Sequence, residues 1–182
     1  MKDMKNIRIV VMGAMFAALT FVATTVIKIP TPTMGYVHPG DGFVILSGFL
    51  LGPFAGGLAA GTGSMLSDLL GGYVMWAPGT FVIKFITAYT AGVIYRRLSE
   101  KHTASRSIIS GVIGEIIMIT GYFLFNILIL TVIDAGDETV TMGAAVTQSV
   151  LEIPFNVAQG IAGIIISTAL IPVLEKIKPS PL

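Results

Sequence analysis

The 182-residue chain contains no cysteine. Disulfides, thiolate metal sites and cysteine nucleophiles are therefore excluded. Charge is scarce too: Asp, Glu, Lys and Arg supply 12% of the residues, about half the share usual in a soluble domain. The chain has two histidines and no His-Glu-x-x-His spacing, the pattern by which one helix face offers two zinc ligands. It also lacks a Walker A loop. The stretch Gly52-Pro53-Phe54-Ala55-Gly56-Gly57 approaches one, but Leu58 stands where a lysine must neutralise phosphate. No metal, resident cofactor or nucleic-acid partner is expected.

What the chain does have is apolar length. Hydrophobic residues make up 54%, arranged in runs over 7–29, 43–51, 54–70, 80–95, 108–133 and 142–174. A spanning helix uses about 20 apolar residues, so six runs nearly exhaust the chain and leave one domain over 1–182. The basic start Lys2, Lys5 and Arg8 resembles a signal peptide, but the following run is longer than an h-region and lacks a clear small-x-small cleavage site. A retained first helix is expected.

Run 43–51 is too short to cross a hydrocarbon core of about 30 Å. It either forms a short helix of its own or fuses with 54–70 across Gly52-Pro53. With six spans and a cytoplasmic N-terminus, the basic residues at both ends of the chain and the cluster Arg96, Arg97, Lys101 and Arg106 all fall inside. With five spans that cluster faces outward. The expected fold is an all-α membrane protein of six transmembrane helices with both termini cytoplasmic. A structured outer loop joins helices 1 and 2, the short second helix is sheltered by protein, and Gly52-Pro53 makes a tight turn.

Polar residues inside such runs mark function, because each ionisable group costs about 2.5–3.5 kcal/mol at mid-helix unless it meets a partner or a cavity. Lys84 lies in the fourth run. Glu115, Tyr122 and Asn126 form one stripe of the fifth, and Gln148, Glu152, Asn156 and Gln159 form one of the sixth. The stripes are expected to face each other, either around a ligand or as an internal network pairing Lys84 with Glu115 or Glu152. The outer loop is too rich in proline and glycine for a helix. It carries Met34, Tyr36 and His38, groups suited to holding a ring. Trp76 precedes the fourth run as a belt anchor or a cavity-mouth residue, with Tyr73 beside it, and Asp68 stands at the end of the third. In the first run Gly13, Ala14, Ala17 and Ala18 make a flat stripe for close helix packing, internal or with a membrane partner.

The segments Gly35-Tyr36-Val37-His38-Pro39-Gly40-Asp41-Gly42, Leu50-Leu51-Gly52-Pro53, Gly63-Ser64-Met65-Leu66-Ser67-Asp68-Leu69-Leu70-Gly71-Gly72-Tyr73 and Ala77-Pro78-Gly79-Thr80-Phe81-Val82-Ile83-Lys84 resemble the substrate-binding S components of energy-coupling factor (ECF) vitamin transporters. The likeness is to the branch serving riboflavin, hydroxymethylpyrimidine, pyridoxine and pantothenate. It implies a multi-pass protein of the bacterial plasma membrane that binds a vitamin with high affinity. It further implies a transmembrane coupling subunit and two ATPase subunits as partners, with ATP used only by the latter. Ala14 and Ala18 stand where that family carries its Ala-x-x-x-Ala docking motif. Two buried carboxylates and several amides against one lysine suit a small hydroxylated heterocycle, so vitamin B6 (pyridoxine or pyridoxal) is the expected ligand, with pantothenate, hydroxymethylpyrimidine and riboflavin as alternatives. A stand-alone secondary transporter would show an inverted repeat, which is not evident. An intramembrane enzyme would need Glu115, Glu152 or His38 beside an activated nucleophile, which the sequence does not offer. The chain is not expected to be an enzyme.

Overall fold

The computed structural model describes residues 2–31, 35–99, 102–133 and 140–177. Six α-helices follow in order: α1 (Lys2–Val26), α2 (Asp41–Leu51), α3 (Pro53–Gly71), α4 (Ala77–Arg97), α5 (Thr103–Leu128) and α6 (Met142–Ile177). Between α1 and α2 the chain forms a small antiparallel hairpin, β1 (Ile29–Pro30) with β2 (Tyr36–Val37), Ile29 facing Val37 and Pro30 facing Tyr36. α5 runs on into a wider π-helical turn, Ile129–Ile133.

The break between α2 and α3 follows from Gly52, whose φ of +90° disfavours residues with a Cβ. A Cβ there would also collide with the Arg96 guanidinium. Pro53 then opens α3 with its fixed φ and no orphaned N–H. α3 stops at Gly72, which is left-handed (φ +87°) and returns its N–H to the Asp68 carbonyl.

At 11 residues α2 is about 16 Å long, half the hydrocarbon thickness. It survives because protein surrounds it: every residue except Phe43 is buried, against α1, α3, α4 and α6. Glycines let the backbones approach. A Cβ on Gly48 would strike the Ala88 carbonyl of α4, one on Gly56 the Ser47 carbonyl, and one on Gly63 the Ala17 carbonyl of α1. Gly57 and Gly61 face Phe85 and Phe81 in the same way, so the glycine-dense stretch is a packing surface. Phe16, Ile45, Leu46, Phe49 and Tyr95 form the main core, with the Phe49 and Tyr95 rings stacked at 4.0 Å.

Among the described residues, four helices are long and apolar enough to cross a membrane: α1, α4, α5 and α6. α3 reaches 19 residues but is diluted by its glycines. The two ends of the bundle differ chemically. At one, Glu175 accepts hydrogen bonds from Tyr95 Oη and Arg106 Nη2, each at 2.8 Å. These contacts join the end of α4, the start of α5 and the end of α6, with Arg96 lying over the α2–α3 turn. The other end holds the hairpin and a cavity.

Candidate functional site

The cavity is built from what each helix presents at the hairpin end. α1 and α3 contribute Thr24, Ser64 and Asp68. The segment between α3 and α4 gives Tyr73 and Trp76, and α4 gives Thr80. α5 adds Tyr122 and Asn126, with Leu130 from the π turn. α6 gives Gln148, Glu152, Asn156 and Gln159 at spacings that keep them on one face. Pro154 lies inside that stretch and, lacking an N–H, leaves the Val150 carbonyl without its helical donor. The space amounts to about 770 Å³, counting its open mouth.

The hairpin covers this space and is tied to two walls. Thr31 Oγ1 donates to Glu152 Oε1 at 2.6 Å, and Tyr36 Oη donates to Asp68 Oδ1 at 2.6 Å. Burial, and then the Asp68 charge, raise the Tyr36 phenol well above its ordinary range, so it stays a donor. Its ring belongs to an aromatic row: Trp76 to Tyr73 at 6.2 Å, Tyr73 to Tyr36 at 4.9 Å, Tyr36 to His38 at 5.4 Å. Lys28 Nζ sits 4.4 Å from the Tyr36 ring centre, as a cation over a π face. His38 Nδ1 accepts from the Gly40 N–H at 3.1 Å. Burial lowers the ring's pKa to about 3, opposed by Asp41 and assisted by Lys84 and Lys28, so the imidazole is neutral.

Beneath the cavity lies a second polar layer. Lys84, wholly buried, donates to Asp41 Oδ1 at 2.5 Å. Gln159 Nε2 donates to Asp41 Oδ2 at 2.8 Å, and Gln159 Oε1 accepts from the His38 N–H at 3.1 Å. The partner of Lys84 is therefore Asp41, not Glu115 or Glu152, because the start of α2 delivers a carboxylate beside α4 while Glu152 is drawn to the hairpin.

Of the residues singled out in the sequence, Tyr36, His38, Trp76, Tyr122, Asn126, Gln148, Glu152 and Asn156 meet at the cavity, together with Asp68, Tyr73 and Gln159. Lys84 and Glu115 do not line it. Glu115 is buried against Gly160 and Gly163, and neither of its oxygens has a hydrogen-bond partner among the described residues. Met34 lies outside the described residues. The α1 stripe divides: the Ala17 backbone packs on Gly63, whereas Ala14 and Ala18 are exposed and a Cβ on Gly13 would meet nothing within 4 Å. Thr24, Ser64 and Thr80 carried no signal in the sequence, since a hydroxyl in an apolar run is usual. Asp41 did carry one, as an acidic residue opening a run with no basic residue near it in sequence.

A bundle of apolar helices enclosing an aromatic and amide-lined cavity has the architecture of a multi-pass membrane protein with an enclosed polar site. The chain belongs to the ECF-type riboflavin transporter S component family, whose family model matches residues 4–176. Family and fold are those of a transporter component and not of an enzyme family. A solved structure described as the S component of a bacterial ECF transporter superposes with a TM-score of 0.73 over 94% of this chain and 98% of its own, at 24% identity, and so shares the fold. An uncharacterized Pyrococcus woesei protein, encoded in the gap 3′ region, is 42% identical over 103 residues, which span 56% of this chain and 66% of that protein, just under two thirds of its length.

Proposed function

We propose that this S component captures an uncharged, flat nitrogen heterocycle bearing hydroxyl groups, and that riboflavin is that ligand. The observation that carries this reading is the cavity lining: four rings in succession, four amides and two carboxylates, with no Lys or Arg among the described residues that form it. Aromatic faces stack on a planar ring, while amides and carboxylates bond its polar edge and hydroxyls. What favours riboflavin over a one-ring vitamin is that the family is named for it. Pantothenate is disfavoured because its carboxylate would find Lys84 already held by Asp41.

In this proposal the bundle sits in a plasma membrane with the cavity outward. The positive-inside rule supports that orientation, since Arg96, Arg97, Arg106 and Lys176 lie at the opposite end. Six membrane-embedded helices, with α2 sheltered, then leave both termini cytoplasmic. Ala14 and Ala18 offer the docking face for a coupling subunit, and two partner ATPases supply the energy.

The test is fluorescence titration of riboflavin with the detergent-solubilised chain, beside competition by pyridoxine, hydroxymethylpyrimidine and pantothenate. Stoichiometric quenching of the flavin by the aromatic row, resistant to the other three, is expected. Absence of quenching together with calorimetric binding of pyridoxine would replace riboflavin by vitamin B6.

A further inference from the structure

Four amide side chains line the cavity, and their hydrogen bonds set them apart. Gln159 is used at both ends, by the His38 N–H and by Asp41. Gln148 is engaged elsewhere. Asn156 makes no hydrogen bond to the described residues, so its amide can turn either way to suit a ligand. Asn126 is tied at one end only: its Oδ1 accepts from Trp76 Nε1 at 3.2 Å.

That single bond determines the polarity of Asn126. An amide can be placed either way round by shape alone. The indole N–H, however, is a donor and never an acceptor, so the atom facing it has to be oxygen. The NH2 group is then on the other branch, with no partner among the described residues, in a side chain that lines the cavity. Trp76 is itself placed by the start of α4, where its carbonyl accepts from the Thr80 N–H at 2.9 Å, and by its edge contact with Tyr73.

We infer that Asn126 is a specificity-determining residue that donates its NH2 to an acceptor on the ligand, a carbonyl oxygen or unprotonated ring nitrogen, and that Trp76 is the positioning residue which holds the amide in that orientation. A ligand presenting an N–H at this point meets donor against donor and is rejected. The inference rests on the binding role proposed above and adds which way one edge of the cavity reads.

The experiment uses riboflavin as probe and the full chain in detergent. Asn126→Asp keeps the shape and the acceptor for the indole but replaces the donor by an oxygen; affinity should fall by about tenfold or more. Asn126→Ala removes the donor without adding charge and should lose a similar factor. Trp76→Phe keeps an aromatic face but frees the amide to turn; it should cost about threefold or more in the presence of Asn126, and clearly less in the Asn126→Ala background, where only the difference in ring area is lost. Retained wild-type affinity in either Asn126 variant, or an equal effect of Trp76→Phe with and without the amide, would overturn the inference. If riboflavin fails to bind the unaltered chain, the riboflavin reading falls first, and pyridoxine, which offers a phenolate oxygen or, in its uncharged tautomer, a ring nitrogen as acceptor, becomes the probe for the same four variants. If neither vitamin binds the unaltered chain, the binding proposal and this inference fall together.

Discussion

His38 shows how far a single side chain depends on its surroundings. Burial holds its pKa at about 3, against about 6.5 for an exposed imidazole. As pH falls, the unfolded chain therefore takes up the proton first, and stability is lost below about pH 6.5, by about 2 kcal/mol at pH 5. We expect thermal melts in detergent to show this loss, and His38→Gln, which can still accept from Gly40, to lack that part of it. Identical pH profiles for the two proteins would refute the expectation. Lys84 makes a different kind of demand. Both it and Asp41 are wholly buried, so Lys84→Met leaves an uncompensated carboxylate and should cost about 3–5 kcal/mol. Adding Asp41→Asn should recover much of that in the same melts. Were Lys84 a ligand contact instead, Lys84→Met would lower vitamin affinity with stability intact.

Among the elements, the hairpin is held over the cavity by two hydrogen bonds, Thr31 on Glu152 and Tyr36 on Asp68, and in the proposed binding role it would serve as a lid. Thr31→Val removes one hydroxyl and leaves Glu152 short of a donor, at about 1–3 kcal/mol. Ligand release should quicken correspondingly while association changes little, because a lid acts on residence time; stopped-flow traces with unchanged release would count against it. α1 has an exposed face, with Ala14 and Ala18, and a packed one, with Ala17. Ala14→Trp or Ala18→Trp adds bulk on the exposed face, so vitamin binding should persist while coupling-subunit pull-down and uptake fail. Ala17→Trp should instead lower melting, since this position packs on α3. Undiminished pull-down with Ala18→Trp would remove α1 from the docking surface.

For the molecule as a whole, the proposed orientation predicts opposite accessibility of its two ends. The absence of cysteine makes single replacements clean reporters. In intact cells a membrane-impermeant maleimide should label Tyr73→Cys and spare Ser99→Cys until the membrane is opened. The reverse pattern would invert the topology and place the cavity toward the cytoplasm. The same asymmetry runs along the bundle: the cavity is assembled where the hairpin covers it, and the ion pair of Arg106 with Glu175 ties helices together at the other end.

The helices were legible in the chain because hydropathy and chain breakers are local. Runs over 43–51, 54–70 and 142–174 correspond to α2, α3 and α6 within a few residues. Gly52-Pro53 marked a turn because glycine alone tolerates its φ and proline suits the next position. The polar face of α6 was legible for the same reason, its spacing being that of one helix. What no local pattern carries is the choice among partners far apart in sequence. The sequence offered Lys84 two partners, Glu115 and Glu152, and packing of α2 against α4 brought it Asp41 instead. Thr31 meets Glu152 across 121 positions, and Trp76 meets Asn126 across 50. Composition alone thus made this an all-α membrane chain with polar stripes. Tertiary packing decided which stripe residues reach the cavity, which alanines stay on the surface and which way an amide points, because a hydrogen bond depends on ångström distances and directions that only the assembled bundle sets.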